Sequence, residues 1–261
     1  MKESIAEFIK YRDLLYMMIW RDIRIKYKQS VIGFMWAVFM PMVIVGAGIV
    51  VRCGYALAAH VPVDLKDLIT VSVKAAPWAF FVASIRFSTS SLVGNSNLVT
   101  KIYFPRIIFP ISAMFSQMFD LAVASVLLAA VLAFLRVGLS IHLLWVPVLF
   151  VILVLMTTGA AIMLSAANLF YRDVKYVVEV LVTFAIFFTP VFYDVSMFGK
   201  WAKVLLLNPM APILEGLAAC VVGGIMPEMS WLLYSACVSL ATFAVAFRLF
   251  AKLEPLFAER I

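Results

Sequence analysis

Between Val31 and Val51 the chain reads VIGFMWAVFMPMVIVGAGIVV, a stretch of twenty-one residues without a charge, directly preceded by Arg21, Arg24, Lys26 and Lys28. A run of that length crosses hydrocarbon about 30 Å thick as a helix, and cations at its leading edge stay on the cytoplasmic side. The chain is therefore expected to be embedded in a membrane with its N-terminus in the cytoplasm. Composition extends this reading to the whole chain: 66% of residues are hydrophobic and 13% charged, where soluble domains carry roughly 25% charged residues. A length of 261 residues suits one polytopic domain.

Further apolar stretches at about 69–93, 107–135, 143–168, 176–192 and 229–251 bring the expected total to six transmembrane helices, so the fold class is an all-α membrane protein with both termini cytoplasmic. Under this threading fourteen Lys and Arg fall inside and five outside (Arg52, Lys66, Arg136, Lys200 and Lys203), which follows the positive-inside rule. The net charge of +7 then reflects topology and attraction to anionic membrane lipids; it does not indicate nucleic acid. The chain divides into a cytoplasmic interface segment (1–30), a transmembrane domain (31–254) and a cytoplasmic tail (255–261).

Two stretches do not read as simple crossings. Ser4–Trp20, as a helix, gathers Ile5, Phe8, Ile9, Leu15, Tyr16, Ile19 and Trp20 on one side and Glu3, Glu7, Lys10 and Arg21 on the other, the pattern of an amphipathic helix in the headgroup plane. It lacks the short basic region and apolar core of a cleaved signal peptide. Tyr193–Glu228 holds apolar runs too short to span, broken by Asn208-Pro209, Pro212 and Gly223-Gly224. Outer re-entrant hairpins between spans five and six are the expectation, with a loose external loop as the alternative. Cys53, Cys220 and Cys237 have neither paired nor metal-type spacing and read as small apolar residues, although the threading puts Cys53 and Cys220 on the same side, where a bridge is conceivable.

The residues offer no catalytic, cofactor or metal signature. HExxH, GxSxG and Cys/His clusters are missing, His60 and His142 fall near outer span ends, and Gly199-Lys200 lacks the rest of a phosphate-binding loop. Work done by this chain would need energy from another subunit. Ionisable residues inside spans are costly and so are functional suspects. Lys74 is expected to snorkel to the outer rim and Arg86 to the cytoplasmic interface, while Asp120 suits a packing or ion-pair site, with Arg86 as a candidate partner. Aromatics at Tyr27, Phe34, Trp36, Phe39, Trp78, Phe81, Phe119, Phe188 and Tyr193 either pack and face lipid or, together, line a conduit with ring faces. Thr157, Ala161 and Ser165 form a small-residue stripe for close helix packing.

Five blocks in order, RDIRIKYKQSVIGFMWAVFMP (21–41), NSNLVTKIYFPRIIFP (95–110), NLFYRDVKYV (168–177), TPVFY (189–193) and LNPMAPILEGL (207–217), resemble the permease subunit of type-two ABC exporters, most closely the branch that exports lipopolysaccharide O-antigen and teichoic acid. The resemblance covers about nine-tenths of the chain. It implies a homodimer of permeases in the bacterial inner membrane, docked on two cytoplasmic ATPase subunits that carry the ATP and magnesium, and moving a lipid-linked polysaccharide. It also implies that Asn95, Ser96, Asn97, Leu98, Val99, Thr100, Lys101, Ile102, Tyr103 and Phe104 form the helix that couples to the ATPase. Arg21, Arg24, Lys26 and Lys28 fall where a pyrophosphate headgroup would be admitted, against the plainer reading of positive-inside anchoring. Lys74 and Arg86 depart from the family's usual apolar and small residues at those places. A permease for a small molecule, or an integral enzyme acting on polyprenyl lipids, are the alternatives.

Overall fold

A computed structural model describes residues 10–28, 33, 35–60, 62, 64–101, 104–138 and 140–257. All its regular elements are helical. The first is α1 (Arg12–Lys28), followed by α2 (Met35–Ala59) and α3 (Leu65–Thr89). Two short helices, α4 (Ser91–Gly94) and α5 (Ser96–Lys101), form a connector to α6 (Ile108–Phe134). Then come α7 (Val146–Phe170), α8 (Val174–Ala185), α9 (Ala202–Leu206), α10 (Met210–Ala218) and α11 (Met229–Leu253). Among the described residues, five helices are long and apolar enough to cross a membrane: α2, α3, α6, α7 with the 3-10 turn before it, and α11.

The first apolar helix is longer than its charge-free run. It continues to Ala59, so Arg52, expected in an outer loop, lies inside α2 and is buried. The cost of burying that cation is met by Asp67 of α3 at 2.7 Å and Asp194 at 3.3 Å. The fourteen-to-five charge count therefore included one residue on the outer side that belongs to the bundle.

The expected amphipathic segment is described only in part. Residues 4–9 lie outside the described residues, and from Arg12 a helix takes in the whole basic cluster. Its packing stripe is Tyr11, Leu14, Leu15 and Met18, against a core built from Leu92, Phe104, Ile107–Phe109, Ile162, Ala166, Leu169, Phe250 and Phe257. Asp22 and Lys26 continue that stripe at four-residue spacing. Tyr16, Met17, Trp20 and Ile25 remain exposed, so the single expected apolar side is split into two.

That core gathers α1, the connector, the end of α7 and the end of α11 at one end of the bundle, here called the connector end. At the far end, Ser140 Oγ donates to the Gly224 carbonyl at 3.2 Å. The span expected at 176–192 is shorter than a membrane-crossing helix, since α8 stops at Ala185 and turns follow. Pro190 explains the stop, because it lacks a backbone donor and disfavours helix before it. The loose carbonyls are met by side chains: Thr189 Oγ1 donates to Ala185 O (2.8 Å), Asn208 Nδ2 to Phe188 O (3.4 Å) and Tyr193 Oη to Phe187 O (3.0 Å).

Even so, 174–194 runs alongside the Lys74–Arg86 part of α3. Glu179 meets Arg86 at 2.8 Å and Asp194 meets Lys74 at 2.8 Å; those α3 residues are roughly 18 Å apart along the axis. Past Asp194 the chain turns back. Tyr234 Oη donates to Leu207 O (2.8 Å) and Ser235 Oγ to Pro209 O (2.9 Å), which puts the Asn208-Pro209 bend roughly 9 Å inside the far end of α11. From there α10 and a π-turn (Ala219–Gly223) rise to Gly224, where φ is +60° and glycine is required.

Helices α7 and α11 pack closely at Gly159, where an added Cβ would lie 2.8 Å from Phe243 N and 2.9 Å from its Cα. Backbone cannot yield as a side-chain tip can. Gly159→Ala is expected to cost about 1–3 kcal/mol through overpacking, read as a lower melting temperature of the detergent-purified chain. Thr157, Ala161 and Ser165 are buried on the same helix, with Ser165 Oγ 3.1 Å from Ser91 Oγ, so the small-residue stripe does serve packing.

Candidate functional site

A cavity of about 530 Å³ opens between α1, α2, α3, α6 and α8. Its apolar wall holds Trp36, Ile44, Ala76, Trp78, Leu121 and Ile186; its polar wall holds Lys26, Arg86, Gln117, Asp120 and Thr183. A second cavity of about 230 Å³ lies toward the connector, lined by Asp22, Lys26, Ser91, Asn95, Ser116 and Gln117 among others. Lys26, Phe87 and Gln117 belong to both linings, so that trio lies between the two spaces.

The trio is held by α6. Lys26 pairs with Asp120 Oδ2 and donates to Gln117 Oε1 at 2.8 Å, with its ammonium 5.4 Å from the centre of the Phe87 ring. Tyr27 donates its phenol to the other Asp120 oxygen. Burial, the hydrogen bond to Asp120 and the nearby carboxylate charge all push the Tyr27 phenol well above its ordinary range, so it stays a neutral donor. Gln117 in turn donates to Ser116 Oγ at 3.0 Å. The Asp120 partner expected from sequence, Arg86, is engaged elsewhere: its guanidinium binds Glu179 (2.8 Å) and Thr183 Oγ1 (3.0 Å). Both cations of the polar wall are paired, Lys26 with Asp120 in the wall itself and Arg86 with Glu179, which does not line the cavity.

A second charged cluster lies toward the far end. Lys74 is fully buried, correcting the expectation that it snorkels, and its ammonium donates to Asp194 Oδ1 (2.8 Å), Glu215 Oε1 (2.8 Å) and Tyr193 O (3.2 Å). Three acceptors match its three donors. Through Asp194 the cluster reaches Arg52 and Asp67, tying α2 and α3 to α10 and the turn before α9.

The other candidate residues are distributed as follows. Arg21 pairs with Asp22 (2.8 Å) and Arg24 lies over the Trp20 ring (5.2 Å), so only Lys26 of the basic cluster lines the cavities; Lys28 ends α1 as an exposed residue. Trp36 and Trp78 face the larger cavity; Phe81 packs on Trp78 (5.6 Å) and Phe119 on Tyr27 (5.9 Å). Phe39 and Phe188 are exposed, and Tyr193 packs on Phe198 (4.9 Å) toward the far end. The aromatics therefore do not form one continuous surface within a single chain. Phe34, Ile102 and Tyr103 lie outside the described residues. Of the expected coupling segment, Asn95 donates from Nδ2 to Ser91 O (2.8 Å), Ser96–Lys101, including Asn97, Leu98, Val99 and Thr100, form α5, and Phe104 is buried in the core. Cys53 and Cys220 are unbridged.

Glu179, Asp194 and Glu215 were not singled out from sequence. Glu179 had a signal, a lone carboxylate inside an expected span. Asp194 and Glu215 had none, because nothing local distinguishes them from loop acids.

A model of the ABC-2 type transporter family matches residues 13–222, and the chain belongs to that family. Curated relatives agree over nearly the full length. Two O-antigen export system permease proteins RfbA of Klebsiella pneumoniae are each 26% identical, over 251 and 253 residues, covering 95% of this chain and 94% of theirs. The O-antigen export system permease protein RfbA of Myxococcus xanthus is 24% identical over 260 residues, 98% of both chains.

Proposed function

We propose that this chain is the membrane permease of an ATP-driven exporter that moves a lipid-linked polysaccharide across a bacterial inner membrane, as a homodimer with two cytoplasmic ATPase subunits. The names of the relatives support the substrate class. The observation that carries the reading is the pair of neighbouring cavities with Lys26, Phe87 and Gln117 between them, one beside the connector and one with a wall bearing Trp36 and Trp78. Ring faces give sugars a weak, sliding contact, and a polar wall whose cations are already paired can offer hydrogen bonds to hydroxyls. The exposed apolar faces of α2 and α8 border the larger cavity, and a second copy there would close the conduit.

The same reading orients the chain. The connector end is cytoplasmic, 174–194 makes a sixth crossing, and the hairpin from Val195 to Gly224 is re-entrant from the outer side. Parity supports this, because α7 ends and α11 ends at the same end of the bundle, so the chain between them must cross once. The short turn-rich stretch is tolerable in a membrane because its polar groups are satisfied by protein. ATP and magnesium bind the ATPase, and α5 delivers the closing motion of that subunit to the permease.

The test is co-purification with its proposed ATPase partner, ATP turnover by the complex and by the chain alone, and the location of polymer in deletion cells. We expect turnover only in the complex and polymer accumulating inside. Turnover by the isolated chain, or normal surface polysaccharide in deletion cells, refutes the reading.

A further inference from the structure

Helix α6 starts with Ile107 at the N-cap position, and its first amides are met locally, Ile108 N–H by Pro105 O (3.2 Å) and Phe109 N–H by Arg106 O (3.2 Å). The Arg106 amide just before them is met from the opposite end of the sequence. Glu254, in the 3-10 turn that follows α11, accepts the Arg106 backbone N–H on Oε1 at 2.6 Å, and the Arg106 guanidinium donates back to the Glu254 carbonyl at 2.7 Å. A carboxylate at a helix N-terminus is also favoured by the helix dipole. Three residues on, Phe257 is completely buried, edge-on to Phe250 (5.0 Å) and Phe170 (5.8 Å), in the core that also holds Phe104 and Phe109.

Helix α5 therefore hangs between two fixed points. Before it, Ser91 binds Ser165 of α7 and Asn95 binds back to Ser91. After it, Phe104 is set in the core against Phe109 (5.3 Å), and Arg106 is held by Glu254. A displacement of α5 that travels along the chain through Phe104 and Arg106 to α6 also loads the last turn of α11, and α11 rests on α7 at Gly159.

We infer that Glu254 is a positioning residue: with Arg106 it forms a joint that holds the exit of α5 in place and passes movement of α5 on to α6 and α11 together. The inference rests on the proposed ATPase-facing role of α5 for its consequence in transport, but not for the joint itself. The joint can be read on the permease alone.

The experiment compares Glu254→Ala, which removes the acceptor, with Glu254→Gln, whose amide oxygen can still accept from Arg106 N–H. Hydrogen exchange in the detergent-purified permease should show amides of 96–101 exchanging about tenfold faster in Glu254→Ala, with α3 and α7 unchanged and Glu254→Gln close to wild type. In cells, Glu254→Ala should export at least about tenfold less polymer while still co-purifying its ATPase with ATP turnover retained. Unchanged exchange at 96–101 overturns the joint, and so does a Glu254→Ala chain whose only defect is a smaller yield of folded protein. Loss of ATPase co-purification with unaltered exchange also overturns it, since Glu254 would then be a docking contact. Should the wild type bind no ATPase, the proposed function fails, while the exchange result still decides the joint.

Discussion

Lys74→Met is expected to destabilise the permease by about 3–5 kcal/mol, because it leaves Asp194 and Glu215 facing a fully apolar side chain. Removing one member of a buried ion pair costs more than removing the pair, since the orphaned charge keeps its desolvation penalty. The double change Asp194→Asn with Glu215→Gln, added to Lys74→Met, should recover most of the loss, and Arg52 would keep Asp67 at 2.7 Å. Melting of the detergent-purified variants measures both effects. A Lys74→Met chain that melts like wild type would show that the three-acceptor site contributes nothing. The consequence for transport follows from the geometry: this cluster is the main polar tie between α3 and the hairpin after Asp194, so its loss should free the far end of the conduit.

Trp36→Ala is expected to lower polymer export about tenfold while leaving ATPase docking unchanged. Trp36 lines the larger cavity and is only partly buried, in edge contact with Phe39 at 5.5 Å, so the fold survives its removal better than that of the buried Trp78. An aromatic contact is worth about 0.5–1.5 kcal/mol beyond its area, and about 1.4 kcal/mol in a barrier is tenfold in rate. Export is measured as surface polymer per unit time, and docking as ATPase retained on the tagged permease. Wild-type export from a well-expressed Trp36→Ala chain would remove the ring from the conduit.

Membrane embedding and the all-helical class were legible in the sequence because they depend on local apolar density, and the five long helices overlap the runs read at 31–51, 69–93, 107–135, 143–168 and 229–251. Boundaries were less legible. The end of α2 at Ala59 lies beyond the charge that marks the end of its run, since Arg52 is tolerated only once Asp67 and Asp194 are beside it. The end of α8 at Ala185 lies inside an apolar run, because Pro190 acts on backbone geometry that hydropathy does not register. The candidate site was legible as a set of suspects: Lys26, Trp36, Trp78, Arg86 and Asp120 all line one cavity.

Partnership among those suspects was not legible. Asp120 takes Lys26, ninety-four positions away, in preference to Arg86, and Lys74 takes Asp194 and Glu215, 120 and 141 positions away. Residue identity alone determined that charges were present in apolar helices and that each would need a counter-charge, because an isolated ion in such surroundings is too costly to keep. Which counter-charge satisfies each was decided only by tertiary structure, since an ion pair depends on where two side chains meet in space, and sequence separation carries no information about that distance.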